Sequence, residues 1–337
     1  MSENPYNKDE FASFDQYFEE EMKKVNEQLD QEVLIAMIGD VNAGKSSAIN
    51  QLIGDNVAET GAKPGETKGV KRYQYRDRIF FVDTPGLDDI VREHSDVTVK
   101  FYKEADIVLF FLNAAGTVLS EGERKSLAEI EKINANILIV LNKIDAAEQI
   151  PEIVGYIKKH TNRKHPVIPV SSKTGENIDD LRNKMLDLLK KKKKDILFAK
   201  SIKVKSSTAN KWILGASGSA AAIGATPIPG ADIVPITAIQ VGMMVKLATL
   251  YEKPLSKERA RELAIATVAG NIGKSVFRQI VKAFPGVGSA AAASVAGTMT
   301  FSLGHAMKYA YENNIDLDAA ALKSIYEMFI KKNESKV

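Results

Sequence analysis

Apolar residues in the first part of the chain recur at helical spacing. Phe11, Phe14, Phe18, Met22, Val25 and Leu29 follow one another at steps of three and four, with charged residues between them, which predicts an amphipathic helix over 10–32. Such a stripe serves either to dock the helix on the body of the protein or to pair it with a partner or a second copy. From Val33 the pattern changes to short apolar runs at 33–38, 70–75, 78–82, 106–112, 136–141 and 166–170. Polar helical patterns, such as 121–133 and 148–160, lie between most of them. This alternation predicts an α/β fold, a mostly parallel six-stranded sheet with helices on its faces. Only Arg76 and Asp77 separate the second and third runs, too few residues for a crossover helix, so these two form a hairpin with one antiparallel edge strand.

The last helix of this unit, 176–189, runs into five consecutive lysines at 190–194, and beyond Lys211 the composition shifts to Ala, Gly, Ser and Ile. The expected organisation is an N-terminal helix (1–32), an αβ domain (33–189), a polybasic linker or helix end (190–211) and an all-α domain (212–332). Two stretches of that last domain, 212–231 and 283–307, contain no Asp, Glu, Lys or Arg. Their length would admit a membrane span of about 20 residues. Their quality argues against one: Pro227 and Pro229 interrupt the first, and small residues dominate the second. Small-x-x-x-small pairs such as Gly218/Ala222 and Ala292/Ala296 suit close helix packing instead. A tightly packed soluble domain, helical hairpins lying on or dipping into a membrane, and true spans all remain open.

Charge is unevenly placed. The net charge is +3 over 337 residues, yet 1–32 hold ten acidic and three basic side chains, while 190–211 hold nine lysines and one aspartate. A near-neutral body without a broad basic face speaks against a general nucleic-acid binder. The lysine run fits either a solvated helix end or an anionic membrane surface. There are no cysteines, which excludes disulfides, thiolate metal sites and cysteine nucleophiles. The polar, acidic N-terminus has no export pattern, so the expected location is cytoplasmic, peripheral to the inner face of the cell membrane if a membrane is involved. The four histidines, His94, His160, His165 and His305, show no i, i+4 pairing with one another and no evident partner.

The chemistry begins after the first run, with Gly39-Asp40-Val41-Asn42-Ala43-Gly44-Lys45-Ser46-Ser47. Glycines there let consecutive backbone N–H groups curl round phosphate oxygens, and a helix N-terminus adds partial positive charge. Lys45 then reaches the β- and γ-phosphates and Ser46 offers a hydroxyl to magnesium. Asp83-Thr84-Pro85-Gly86 follows the third run. Its aspartate can hold magnesium through water, and the Gly86 N–H can sense the γ-phosphate. Asn142-Lys143-Ile144-Asp145 ends the fifth run. The Asp145 carboxylate can accept from guanine's ring N–H and amine, which adenine lacks, a difference worth about 10⁴-fold or more in such sites. The stem of Lys143 can cover the base, Asn142 can tie this loop to the phosphate loop, and in Ser171-Ser172-Lys173 a backbone N–H can meet the guanine carbonyl.

These four elements, in this order, resemble the translation-factor class of GTPases over residues 33–189. The resemblance implies a Ras-like P-loop domain that binds GTP and GDP with Mg²⁺ and hydrolyses GTP to GDP and phosphate. Thr60 and Thr67 compete as the magnesium-binding threonine; Thr67 is preferred, because Pro64-Gly65-Glu66-Thr67 is similar to the Pro-Gly-x-Thr segment of Era-like and tRNA-modification GTPases. Where Ras-type enzymes place a water-orienting glutamine, this chain has Leu87, so activation must come from a partner, a homodimer contact through this domain, or a cation. Asn42 within Asn42-Ala43-Gly44-Lys45-Ser46-Ser47 is similar to the loop of potassium-activated Era-like GTPases, which implies a K⁺ bridging the phosphates. The catalytic set on this resemblance is Lys45, Thr67, Gly86 and Asn42. The segment 225–232 with Val287-Gly288-Ser289-Ala290 resembles an uncharacterised bacterial helical domain found behind Era-like GTPase domains, and more loosely immunity-related and dynamin-like GTPases. No lysine-flanked G-x-x-G or aromatic-rich basic strand of an RNA-binding module is evident. The function expected is a nucleotide switch that moves a helical, membrane-associated domain. A low-turnover GTP-bound scaffold and a ribosome or RNA maturation GTPase are the alternatives.

Overall fold

A computed structural model describes residues 8–54, 71–76, 78–83, 96–224, 233–269 and 295–334. The chain divides into two compact units, one of residues 28–204 and one of residues 1–27 with 205–337.

The first unit is built on a six-stranded sheet of β1 (Val33–Ile38), β2 (Lys71–Tyr75), β3 (Ile79–Asp83), β4 (Ile107–Asn113), β5 (Ile137–Asn142) and β6 (Val167–Pro169), in the order β2-β3-β1-β4-β5-β6. All pairings are parallel except β2–β3, where Tyr75 faces Ile79 across the expected hairpin. The runs of β4 (IVLFFLN) and β5 (ILIVLN) are buried almost throughout, as strands covered on both faces must be. The helices are α2 (Lys45–Ile53), α3 (Asp96–Glu104), α4 (Glu121–Ile133), α5 (Ile150–His160), α6 (Ile178–Lys191) and α7 (Asp195–Ser201). Ser120 and Glu123 close a reciprocal capping box at the start of α4, fixing that boundary.

Two ionic features hold this unit in ways the hydrophobic pattern did not announce. Arg182 lies on the buried stripe of α6 among Leu181, Met185 and Leu186. It donates from Nε and a terminal nitrogen to the Leu52 carbonyl (3.2 and 2.9 Å) and pairs with Asp179. A cation on the last carbonyls of α2 opposes the negative end of that helix. Asp106, buried at the start of β4, accepts from the Leu34 N–H and pairs with Lys194 at 2.8 Å and Lys192 at 3.4 Å. Two of the five consecutive lysines therefore neutralise a buried carboxylate, a role neither reading of that run anticipated.

The second unit comprises α1 (Lys8–Leu29, up to Glu27), α8 (Ser206–Gly224), α9 (Ile233–Tyr251), α10 (Lys257–Ala269), α11 (Val295–Glu312) and α12 (Ala319–Glu334). Helix α1 buries Phe14, Phe18 and Val25, and Asp15 and Glu19 pair with Arg261 and Lys257 of α10. Its apolar stripe is buried, and its charged face is tied to α10. Helix α11 is buried nearly all round. At Gly304 an added Cβ would lie 2.8 Å from Ile213 of α8 and 2.9 Å from Met243 of α9, which marks a close approach of α11 to both helices. The expected Gly218/Ala222 contact is corrected: Ala222 is exposed and nothing lies within 4 Å of a Cβ at Gly218. The inward face of α8 carries Ala209, Ile213, Ser217 and Ala220 instead. Ala292, and the segments 225–232 and 287–290, lie outside the described residues. Among the described residues no helix is long and apolar enough to cross a membrane.

Candidate nucleotide-binding site

The C-terminal ends of β1, β5 and β6 bring three loops together on one edge of the sheet. The strand order reverses at β1, the place where sheets of this kind bind ligands. Gly39 leaves β1 with φ +153°, and a Cβ there would meet the Phe111 carbonyl at 2.7 Å, so only glycine lets the loop pass over β4. Asn42 (φ 66°) and Gly44 (φ 82°) are both left-handed. Together they turn the loop into the N-terminus of α2. That terminus has no side-chain cap and no acidic residue in its first turn, which leaves its positive end suited to an anion. Ala43 is buried, and Ser46 and Ser47 are exposed. The Lys45 ammonium folds back across the loop, donating to the carbonyls of Gly39 at 2.9 Å and Asp40 at 3.3 Å.

Asn142 is the knot of the site. Fully buried at the end of β5, its amide donates to the Ala43 carbonyl at 2.8 Å and to the Ser172 hydroxyl at 3.1 Å, and accepts from the Ser172 N–H at 3.0 Å. One side chain thereby joins the loops after β1, β5 and β6. Gly44 is part of the fit, since a Cβ there would stand 2.2 Å from the Asn142 amide nitrogen.

Beside it, Lys143 takes a left-handed conformation (φ 64°) and opens a short 3₁₀ turn, Ile144–Ala146, that carries Asp145. The Ser171 hydroxyl donates to the Asp145 carboxylate at 2.6 Å, and Lys173 stands 3.9 Å away. The hydrogen bond from Ser171, with Lys173 and Lys143 nearby, holds the Asp145 carboxyl below the ordinary aspartate range, so it stays an acceptor at neutral pH. Thr174 in turn donates its N–H to the Ser171 hydroxyl at 3.0 Å. Ser171 as the group orienting Asp145 was not foreseen; the signal available was a hydroxyl at the end of the neighbouring strand.

Asp83 ends β3 in register with Met37, two residues before Gly39, which puts its backbone on the same edge as the phosphate loop. Thr67 and Gly86, with Thr60, Leu87 and His94, lie outside the described residues. Of the other histidines, His165 bonds Glu131 at 2.8 Å, His160 bonds the Tyr156 carbonyl at 2.8 Å, and His305 is buried in α11. Each thus has surroundings that the sequence alone did not reveal.

Comparison with known proteins agrees with this geometry. Residues 34–143 match the family described as 50S ribosome-binding GTPase, and residues 191–334 match a domain of unknown function, DUF697. GTPase Era of Clostridioides difficile is 28% identical over 156 residues, 44% of this chain and 52% of its own length. GTPase Era of Caldanaerobacter subterraneus subsp. tengcongensis is 30% identical over 168 residues, 46% of this chain and 54% of its own. The chain thus spans about half the length of the curated relatives it matches. Among solved structures, the G domain of the FeoB iron transporter of T. maritima aligns with a TM-score of 0.36 and 25% identity, over 47% of this chain and 99% of that one. The chain carries a domain that matches this GTPase family and is similar to that of GTPase Era, followed by a segment that matches DUF697.

Proposed function

We propose that the chain is a Mg²⁺-dependent GTPase that hydrolyses GTP to GDP and phosphate and uses its nucleotide state to reposition the helical unit. The observation that carries this reading is the Asn142 tie, which holds the phosphate loop and the two base-recognising loops as one rigid cradle beside an ionised, oriented Asp145. Preorganised donors of this kind are worth most where charge develops.

In this reading the N–H groups from Asn42 to Ser47 surround the β-phosphate, and Lys45 exchanges its loop carbonyls for β- and γ-phosphate oxygens. Asp145 accepts from guanine, the stem of Lys143 covers the ring, and a backbone N–H of Ser171–Lys173 meets the guanine carbonyl. Ser46, Thr67 and Asp83 would hold Mg²⁺, and the exposed Ser46 hydroxyl at an uncapped helix start fits that role. The ion supplies neutralisation of charge between the β- and γ-phosphates. Gly86 senses the γ-phosphate. Because Leu87 has no group to orient water, activation comes from K⁺ held with the help of Asn42, from a homodimer contact, or from both. Peripheral contact with an anionic membrane completes the reading.

Turnover of GTP by the purified chain tests it, measured in potassium and in sodium chloride at matched ionic strength, with and without anionic vesicles. Several phosphates released per site, faster in potassium, is the expected result; equal rates in the two salts remove the potassium role. A second reading, a GTP-bound scaffold with negligible turnover, draws on Leu87 and would be favoured by no turnover under any of these conditions. Against assembly through the N-terminal helix stands the burial of Phe14, Phe18 and Val25 in the single chain.

A further inference from the structure

We infer that the base of the nucleotide-binding unit, the edge opposite its nucleotide loops, is the surface that meets an anionic membrane. This rests on the membrane contact proposed above and gives it a location. In a parallel sheet with returning helices, strands begin and helices end on the same edge. Helix C-termini attract cations, and here the last turns of α3, α4, α5 and α6 each carry at least one lysine. The dipole accounts for one or two such charges per helix, and this base has more than that.

The excess is sorted by the fold. In the 190–194 run, Lys192 and Lys194 turn inward to the buried Asp106 at the start of β4, while Lys190, Lys191 and Lys193 remain exposed. On the neighbouring part of the edge, Lys164 and His165 are pinned to Glu131 in the last turn of α4, while Lys158, Lys159 and Arg163 remain exposed. None of these six outward cations forms an ion pair among the described residues. The inward ion pairs therefore tie one segment to the start of β4 and the other to the end of α4, and leave two sets of three cations facing solvent. A third point of the base is held where α2 ends: the Lys203 N–H donates to the Ile53 carbonyl at 3.0 Å, and beside it Val204 is 41% exposed. Cations and an exposed aliphatic side chain on one edge suit a lipid headgroup layer.

The chemistry favours a membrane over RNA. Five of the six outward cations are lysine, a point charge on a flexible stem, whereas phosphate-by-phosphate recognition favours the arginine fork. Single strands are read by open aromatic platforms, and the exposed aromatic of this region, Tyr156, already packs against His160 with ring centroids 4.0 Å apart.

The test is flotation of the GDP-loaded full chain with phosphatidylserine–phosphatidylcholine vesicles and with phosphatidylcholine vesicles. Two charge-reversal variants are compared: Lys190→Glu/Lys191→Glu/Lys193→Glu and Lys158→Glu/Lys159→Glu/Arg163→Glu. A control, Lys100→Glu/Lys125→Glu/Lys323→Glu, makes the same charge change at exposed lysines elsewhere. At roughly fivefold per cation lost, each base variant should bind anionic vesicles at least about 100-fold more weakly at low salt. The control should float and all three variants should keep their affinity for GDP. If the wild type floats and the base variants float equally, the membrane reading stands and this location is wrong. If the wild type floats with neither vesicle, both fail. Retention on polyuridylate, lost in the base variants and without flotation, would assign the surface to nucleic acid and overturn the proposal.

Discussion

Replacing Gly44 by alanine should damage nucleotide binding through Asn142, and the size of that coupling follows from the geometry. A Cβ at residue 44 would stand 2.2 Å from the Asn142 amide nitrogen, at a backbone φ of +82°. The left-handed conformation alone costs an alanine about 1–2 kcal/mol. Displacing the amide also forfeits its bonds to Ala43 (2.8 Å) and Ser172 (3.1 and 3.0 Å), at about 1 kcal/mol each. Gly44→Ala should therefore weaken GDP binding by about 4–5 kcal/mol, roughly 700- to 4,000-fold. Asn142→Ala, which removes the same bonds without backbone strain, should cost about 3 kcal/mol. In the double variant the amide is already gone, so the second change adds only the backbone term, and the coupling should be about 3 kcal/mol. Displacement of a fluorescent GDP analogue from the four proteins measures it, with thermal melts to confirm folding. Additivity within about 0.5 kcal/mol would show that the clash does not reach Asn142 and would refute the account of the knot.

Two further outcomes are expected in the helical unit. His305, buried in α11 beside Lys308 with its ring 4.3 Å from that of Phe301, is pushed down to about 3, by burial first and by the Lys308 charge second. A base with a depressed folded value is protonated first in the unfolded chain, so stability falls as pH drops below about 6.5 and should be lower by about 2 kcal/mol at about pH 5. Urea melts at the two pH values should show that loss in the wild type and a smaller one in His305→Gln; equal slopes would mean His305 does not stay neutral. Gly304→Ala should destabilise the unit by about 1–3 kcal/mol, because its Cβ has no room between Ile213 and Met243. Gly218→Ala, with open space around it, should stabilise α8 by about 0.5–1 kcal/mol. Chemical denaturation checks both signs, and a stabilising Gly304→Ala would contradict the close approach.

The sheet and the nucleotide loops were legible in the chain for a chemical reason. Phosphate loops need glycine at fixed offsets after a strand, and base selection needs a carboxylate after a buried run, so Gly39, Gly44, Asn142 and Asp145 stand out without any knowledge of contacts. What stayed hidden depended on which face turns inward. A small-x-x-x-small pair at Gly218/Ala222 permits close packing on any face, and the fold places its tight crossing at Gly304 instead. A run of five lysines cannot reveal that two of them neutralise Asp106, far away in sequence. The docking of α1 on α10 joins Asp15 to Arg261, a pairing that no local pattern encodes. Arg182 left a faint trace, as a charge interrupting the otherwise apolar stripe of α6.

The central claim is that this cradle takes guanine nucleotides and chooses them through Asp145. Titration calorimetry of the nucleotide-free, Mg²⁺-containing protein with GDP and then with ADP tests it most directly. The account predicts one GDP per chain and no measurable heat from ADP; equal binding of the two, or heat from neither, would contradict it.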